Sequence, residues 1–348
     1  MENSYFKRVQ EQTATRFWIN NVTREQAYLA IEAGAAGCTQ NPSYTWKMID
    51  NPEENQDVIK ILDDILKTEK DDNEVEIKLQ KELVVRISEI FLPMYENTGG
   101  KYGFVSIQGD PFHEDAETII RHARFNREAG PNIMAKIPVT KEGLKAVEIL
   151  AAERVPINAT EVMAVKQALD VCEVYEKATK GMKNPAPIYF SHIAGIYDEY
   201  LYGVVRKKGI DISPDAIWQA GISVAKKIYR IVREKGYGNV GFISGGARGL
   251  HHFTEMVGAD CCVTINWNGA ADELIRLNPP VVQRFFQPTP FSVEDELIEK
   301  LEDHRKAYFI NAIKAEEYEE FGPVVLFRTS FEKAWRNTLD FIGKRRAE

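Results

Sequence analysis

Long apolar runs are missing from this sequence. No stretch approaches the ~20 consecutive apolar residues that a membrane-spanning helix needs, so no membrane partner is expected. The opening residues Met1 to Arg8 also lack the apolar segment of a secretory signal, which makes the cytoplasm the expected location. Cysteine is scarce. Cys38, Cys172, Cys261 and Cys262 have no metal-ligand spacing, and the adjacent pair sits in the apolar run Cys261-Cys262-Val263-Thr264-Ile265, where buried thiols are expected. Nor do the six histidines form a metal motif. His251 and His252 open a predicted helix, where consecutive side chains point in different directions, so no metal is expected. Surplus positive charge is absent as well. A formal net charge of −8 argues against nucleic acid as a partner, while leaving room for a locally basic pocket that takes an anionic metabolite.

What is present is an alternation. Short apolar runs alternate with longer helical patterns, the rhythm of βα units around a parallel sheet. Strands are predicted at Phe17–Asn20, Ala35–Thr39, Gly103–Gln108, Ile133–Pro138, Pro156–Thr160, Ile188–Ile193, Val240–Gly245 and Cys261–Asn266, the number that closes a (β/α)8 TIM-type barrel. The expected organisation is one α/β-barrel domain over residues 1–348, with a helical insertion at about 42–100 after the second strand and a helical extension from about 269 to 348. Thr140 is read as a helix start, Thr160 as another with Val162, Val165, Leu169 and Cys172 at helical spacing, and Ser213-Pro214 as a third. The charge-rich section Lys67–Lys78 reads as a solvated face or loop. Aromatics crowd the end of the sequence, from Tyr308 and Phe309 through Phe327, Phe331 and Trp335 to Phe341, which fits packing onto the barrel or a homo-oligomer interface.

One residue in a strand pattern stands out. Lys136 lies among Ile133, Met134, Ile137 and Val139. Lysine is almost never fully buried unless it is paired or working. Burial disfavours the ammonium, so the neutral and nucleophilic amine becomes available for Schiff-base chemistry with a ketone. Functional groups in such a barrel come from the C-terminal ends of its strands. Those ends carry Asn20, Asn41, Gln108, Lys136, Asn158, Thr160, Ser191, Ser244 with Arg248, and Asn266, a polar set suited to gripping hydroxyl groups. Any single Asn or Thr among them also fits a helix cap.

Four of these segments, in this order, resemble the transaldolase family: Thr39-Gln40-Asn41-Pro42-Ser43, Ile133-Met134-Ala135-Lys136-Ile137-Pro138, Ile157-Asn158-Ala159-Thr160 and Gly245-Gly246-Ala247-Arg248. The related fructose-6-phosphate aldolases share the order, and the likeness runs from about Asn20 to Ile265. The resemblance implies an α/β barrel and a class I mechanism without metal or cofactor, because an iminium on the lysine is itself the electron sink. It implies that Lys136 forms the Schiff base and that Asn41, Asn158 and Ser191 hold the hydroxyls of a dihydroxyacetone unit. Thr160 would position a water together with a carboxylate, and Arg248 would bind an anionic tail.

The pattern departs from the family in several places. Asn20 stands where an aspartate is usual, and an amide cannot act as a general base. Gln108 stands where transaldolases carry glutamate and the aldolase branch carries glutamine; it can hold a water but cannot ionise. Asp110 could share the facing of Gln108, although a loop or cap role fits it better. Ile196 takes the place of a second arginine, and Gly246 that of a serine. The anion cradle then reduces to Arg248 with the amides of Gly245 and Gly246 at a helix N-terminus. His192, at a strand end, reads as structural. The expected function is transfer of a dihydroxyacetone unit from a ketose with a phosphate or other anionic tail to an aldehyde acceptor. The alternatives are a lyase that releases free dihydroxyacetone and a non-catalytic sugar-binding protein on the same scaffold.

Overall fold

The computed structural model describes residues 3–348. Eight parallel strands close into a barrel in sequential order: β1 Arg16–Asn20, β2 Ala35–Thr39, β3 Phe104–Gln108, β4 Ile133–Pro138, β5 Ile157–Val162, β6 Ile188–His192, β7 Val240–Ser244 and β8 Cys262–Asn266. The ring is completed by β8 against β1, from Cys262 opposite Arg16 to Asn266 opposite Asn20. This is the (β/α)8 barrel that the alternation predicts.

Helices begin where local chemistry allows. Thr140 precedes Lys141–Ala152 and its hydroxyl accepts from the Gly143 amide at 3.0 Å, while Pro214 occupies the first turn of Pro214–Glu234. Thr160 is different. It does not start a helix: β5 continues to Val162, with a register break against β6 between Ala159 and Val162, and the helix spans Val165–Thr179. Glu161, inside that break, has φ +64°, in the left-handed region that non-glycine residues seldom adopt.

Strand alternation divides the barrel interior into two layers. Trp18, Ala36, Phe104, Met134, Ile243 and Cys262 form an apolar floor. Gly37 is required there, since a Cβ would lie 2.5 Å from Trp18 Cε2. Two residues further along the same strands come Asn20 and Lys136, so the layer above the floor is polar.

The insertion forms helices Tyr44–Ile49, Asn55–Leu66 and Asp72–Asn97. Its charged section is not wholly solvated as expected: the segment Val75–Ile77 faces inward and Glu76 is fully buried. After the barrel, the helix Gly322–Ala347 runs over the mouth and places Phe327 and Phe331 against it. The two additions fasten to each other, with Trp335 Nε1 donating to Asn73 Oδ1 at 2.8 Å and Arg345 Nε to Asp63 Oδ1 at 2.8 Å. The aromatics at 327, 331 and 335 therefore serve packing onto the barrel. Among the described residues, no helix is long and apolar enough to cross a membrane.

Candidate active site

A cavity of about 320 Å3 opens at the C-terminal end of the strands, a size suited to a small metabolite. Lys136, Asn158, Thr160 and Ser191 line one side, Asn20, Asn21, Asn41 and Ser43 the other, and Phe327, Ser330 and Phe331 form a wall. Lys47, Lys136 and Arg248 all reach it, and among the described residues no carboxylate lines it. The cavity therefore favours an anionic guest.

Its polar lining is ordered by hydrogen bonds that run around the rim. Asn20 Nδ2 donates to Asn266 Oδ1 at 2.9 Å and Asn20 Oδ1 accepts from Thr39 Oγ1 at 2.9 Å, with Thr264 Oγ1 2.8 Å beyond. On the other side Asn158 Nδ2 donates to Ser106 Oγ at 3.2 Å and its Oδ1 accepts from Ser191 Oγ at 2.6 Å. Asn21, at φ +45°, turns its amide to Asn41 Oδ1 at 2.8 Å. Each side chain is thus held in one orientation before any ligand arrives.

Lys136 lies between these chains, opposite Gln108 on β3 and Asn158 on β5. Its Nζ is 5.8 Å from the centre of the Phe331 ring. Burial pushes its pKa down to about 8, partly opposed by the negative charge of Glu161. At pH 7.5 roughly a quarter of such an amine is neutral, against about a thousandth of an ordinary lysine.

Glu161 is the residue that sequence reasoning missed. Strand alternation would send it outward, between inward-facing Thr160 and the helix layer. The left-handed backbone turns it inward instead, where Oε1 accepts from Gln108 Nε2 at 2.9 Å. Glu161 is completely buried, and burial raises its carboxyl above the usual range. Glu114, just after β3, is raised too, by burial first and then by the charge of Glu161. A second cavity of about 20 Å3, room for one water, is lined by Gln108, Glu114, Lys136 and Pro138. The remaining signal was the acid itself, directly after the Asn-Ala-Thr segment. Lys47 was also missed; burial lowers its pKa, and its Nζ donates to the Asn21 carbonyl oxygen at 2.5 Å.

Other expected residues take different places. Asp110 is buried in the loop after β3 and accepts from Phe112 N and Asn73 Nδ2, each at 2.8 Å, as the loop role required. Ser244 is buried but does not line the cavity. His192 is held between the Val162 and Gly221 carbonyl oxygens, at 2.9 and 3.0 Å, and is structural. Ile196 does line the cavity. The glycine pair is not a helix N-terminus: Gly245 N donates to His192 O at 2.9 Å, and the following helix, His251–Thr254, begins later and is too short to act as one. Arg248 reaches the cavity while its Nε is paired with Glu199 Oε2 at 2.6 Å.

His251 and His252 do not diverge as a helical start predicts, since both approach Asp198. His252 Nε2 lies 2.9 Å and His251 Nε2 4.0 Å from Asp198 Oδ2. Together the three could offer donor atoms to a metal ion. Existing bonds already occupy most of that capacity. Asp198 Oδ1 accepts from Gly221 N at 2.6 Å, and His252 Nδ1 accepts from Arg248 N at 3.3 Å. Burial pushes His252 down to about 4, so it is neutral and carries its proton on Nε2, toward Asp198. The cluster anchors the loop that presents Arg248. All four cysteines are buried and free, with burial holding their thiols above the usual range.

Comparison with known proteins agrees with this geometry. The family model Transaldolase/Fructose-6-phosphate aldolase matches residues 17–278, which contain all eight strands except Arg16, the first residue of β1. The chain is 24% identical over 240 residues to a transaldolase of Thiobacillus denitrificans, covering 62% of this chain and 64% of that one. It is 28% identical over 234 residues to a transaldolase of Acidothermus cellulolyticus, covering 63% and 62%. A transaldolase of Helicobacter pylori is 32% identical over 151 residues, covering 42% and 46%. The matches thus span less than two thirds of those relatives' own length.

Proposed function

The chain belongs to the transaldolase/fructose-6-phosphate aldolase family, and we propose that it is a class I transferase acting through a Schiff base on Lys136. Neutral Nζ attacks the carbonyl carbon of a ketose, and loss of water gives an iminium. The hydroxyl on the β-carbon gives its proton to a water and becomes the C=O of the leaving aldehyde, the Cα–Cβ bond breaks, and its electron pair moves toward the iminium to leave a dihydroxyacetone enamine on the lysine. An acceptor aldehyde then takes that carbon unit, and hydrolysis frees the amine.

The observation that carries this reading is the lysine itself: a buried amine with a lowered pKa, at the base of a cavity ringed by oriented hydroxyl-binding groups. Asn41, Asn158 and Ser191 hold the hydroxyls of the transferred unit, and Thr160 faces the reacting carbon. Arg248 and Lys47 supply the positive charge for an anionic tail of donor and acceptor. Asn20 orients a hydroxyl without ionising. The wall of Phe327 and Phe331 limits water at the enamine, which favours transfer over hydrolysis.

The test is borohydride reduction in the presence of a ketose phosphate. A mass addition on the Lys136 peptide is expected, with no turnover in Lys136→Met. An unmodified Lys136 peptide from demonstrably active protein would sink the proposal. Gln108 favours the second reading, release of free dihydroxyacetone. Product formation that needs no acceptor aldehyde would select it, and ketose binding without turnover would select the sugar-binding alternative.

A further inference from the structure

The end of β3 carries Gln108 and no carboxylate, as in the aldolase branch of the resemblance rather than the transaldolase branch. Yet four buried polar atoms without a hydrogen-bond partner gather there: Gln108 Oε1, Glu114 Oε2, Thr160 Oγ1 and Glu161 Oε2. Buried polar groups are rarely left unpaired, and such a concentration beside a nucleophile calls for a reason. The backbone at Glu161, at φ +64°, is also held in a conformation that persists only where its surroundings enforce it. Gln167 enforces it: Nε2 donates to the Glu161 carbonyl oxygen at 3.2 Å, and Oε1 accepts from Met163 N at 2.8 Å and Ala164 N at 3.0 Å.

We propose that the acid–base group of the Lys136 site has moved from β3 to β5, where Glu161, held by Gln108 and backed by Glu114, exchanges the protons of Schiff-base formation and hydrolysis. This rests on the transferase reading given above. In the forward direction neutral Glu161 passes its proton through the hydroxyl of the neighbouring Thr160, which lines the cavity, to the hydroxyl of the carbinolamine. The C–O bond breaks, water leaves, and the nitrogen lone pair completes the C=N bond. In hydrolysis the proton returns by the same hydroxyl: Thr160 takes a proton from the water that attacks the iminium carbon and gives its own to the Glu161 carboxylate. Atoms and charge balance without a co-reactant. Gln108 is a positioning residue, because its amide fixes Oε1 and leaves Oε2 free for the transfer.

The charged and titratable groups around Glu161 act on its carboxyl in opposite directions. Lys136 on β4 and Arg328 on the helix Gly322–Ala347 favour its ionised form, and burial opposes it more strongly. Glu114 is influenced by Glu161, Arg328 and Glu319. Both carboxyls are raised by burial, and Glu114 also by the charge of Glu161, so the two ionise one after the other rather than together. The second cavity brings Gln108, Glu114 and Lys136 to one water-sized space.

The decisive experiment compares wild type with Glu161→Gln and with the exchange variant Gln108→Glu/Glu161→Gln, measuring turnover against pH and borohydride trapping at Lys136. Glu161→Gln should lose at least about a hundredfold in kcat and lose the limb of the pH profile that belongs to the carboxyl pair. Trapping should persist after long incubation but form more slowly. The exchange variant returns the carboxylate to β3 across the same hydrogen bond and should recover to within about tenfold of wild type. Turnover of Glu161→Gln within threefold of wild type with an unchanged pH profile overturns the proposal. Should Glu161→Gln fail to fold, the folded exchange variant decides: inactivity there overturns the proposal too. Failure of trapping in wild type is a different result, since it removes the Schiff-base reading itself.

Discussion

The nucleophilic role proposed for Lys136 depends on Phe331. The ring lies 5.8 Å from Nζ and, with Phe327, forms the wall between the amine and solvent. Replacing it by alanine has two opposing effects on the lysine. A lost cation–π contact lowers the ammonium pKa by the equivalent of about 0.5–1 kcal/mol. Readmitted water raises it, and desolvation is the dominant cause holding the value at about 8. The net expectation for Phe331→Ala is a rise of about one pH unit, or about 1.4 kcal/mol. At pH 7.5 the neutral fraction then falls roughly eightfold, and the rate of imine formation with it. Competitive acetylation at trace reagent, read by mass spectrometry on the Lys136 peptide across pH 6 to 11, measures this without any substrate. Phe331→Leu serves as a control that keeps most of the wall, because a buried Phe→Ala change also costs about 3–5 kcal/mol of stability. Titration of wild-type Lys136 above pH 10, or a Phe331→Ala value unchanged from wild type, would refute the claim that burial activates the amine.

Three further perturbations test other parts of the structure. Glu199→Ala releases Arg248 from an exposed pair worth at most about 1 kcal/mol, so KM for an anionic ketose should fall by up to about fivefold with kcat unchanged. Equal KM changes for neutral and anionic donors would contradict that. Glu76 is buried with its carboxyl raised well above 4.5, so the folded state holds a proton that the unfolded state has released. Stability from this group is present at low pH and falls by about 1.4 kcal/mol per pH unit between the unfolded and the folded pKa. Glu76→Gln removes that slope, so its advantage in urea midpoint should grow as pH rises above the unfolded pKa; a constant difference would argue against it. Gly37→Ala puts a methyl 2.5 Å from the Trp18 ring, and overpacking of about 1–3 kcal/mol or more should appear as a lower Tm and shifted tryptophan fluorescence. A wild-type Tm would mean that the floor of the barrel yields.

Much of this was legible in the sequence because barrel strands announce themselves by short apolar runs at regular spacing. All eight strands lie where those runs are, and Lys136 stands out because its neighbours on the strand are apolar. Glu161 was hidden by the same logic. Thr160, Val162, Val165 and Leu169 recur at helical spacing, while the real backbone extends the strand through one left-handed residue that no periodicity encodes. The paired histidines failed for a related reason: the helix they open has only four residues and does not fix their directions, and Asp198 from another element draws both. The aromatics near residue 331 signalled packing, but which surface they cover depends on contacts across the whole fold.

The helix that carries Phe331 also sets an order of events. Every strand of the barrel, and Lys136 with them, precedes Asn266, whereas the wall over the amine begins at Gly322. During synthesis the barrel strands leave the ribosome first, with the lysine open to water, fully protonated and inert toward carbonyl compounds. Docking of the later helix dries the amine and lowers its pKa in one act. On the Schiff-base proposal, a half-made molecule is therefore spared stray condensation with aldehydes and ketones, because the nucleophile is switched on by the completion of the fold.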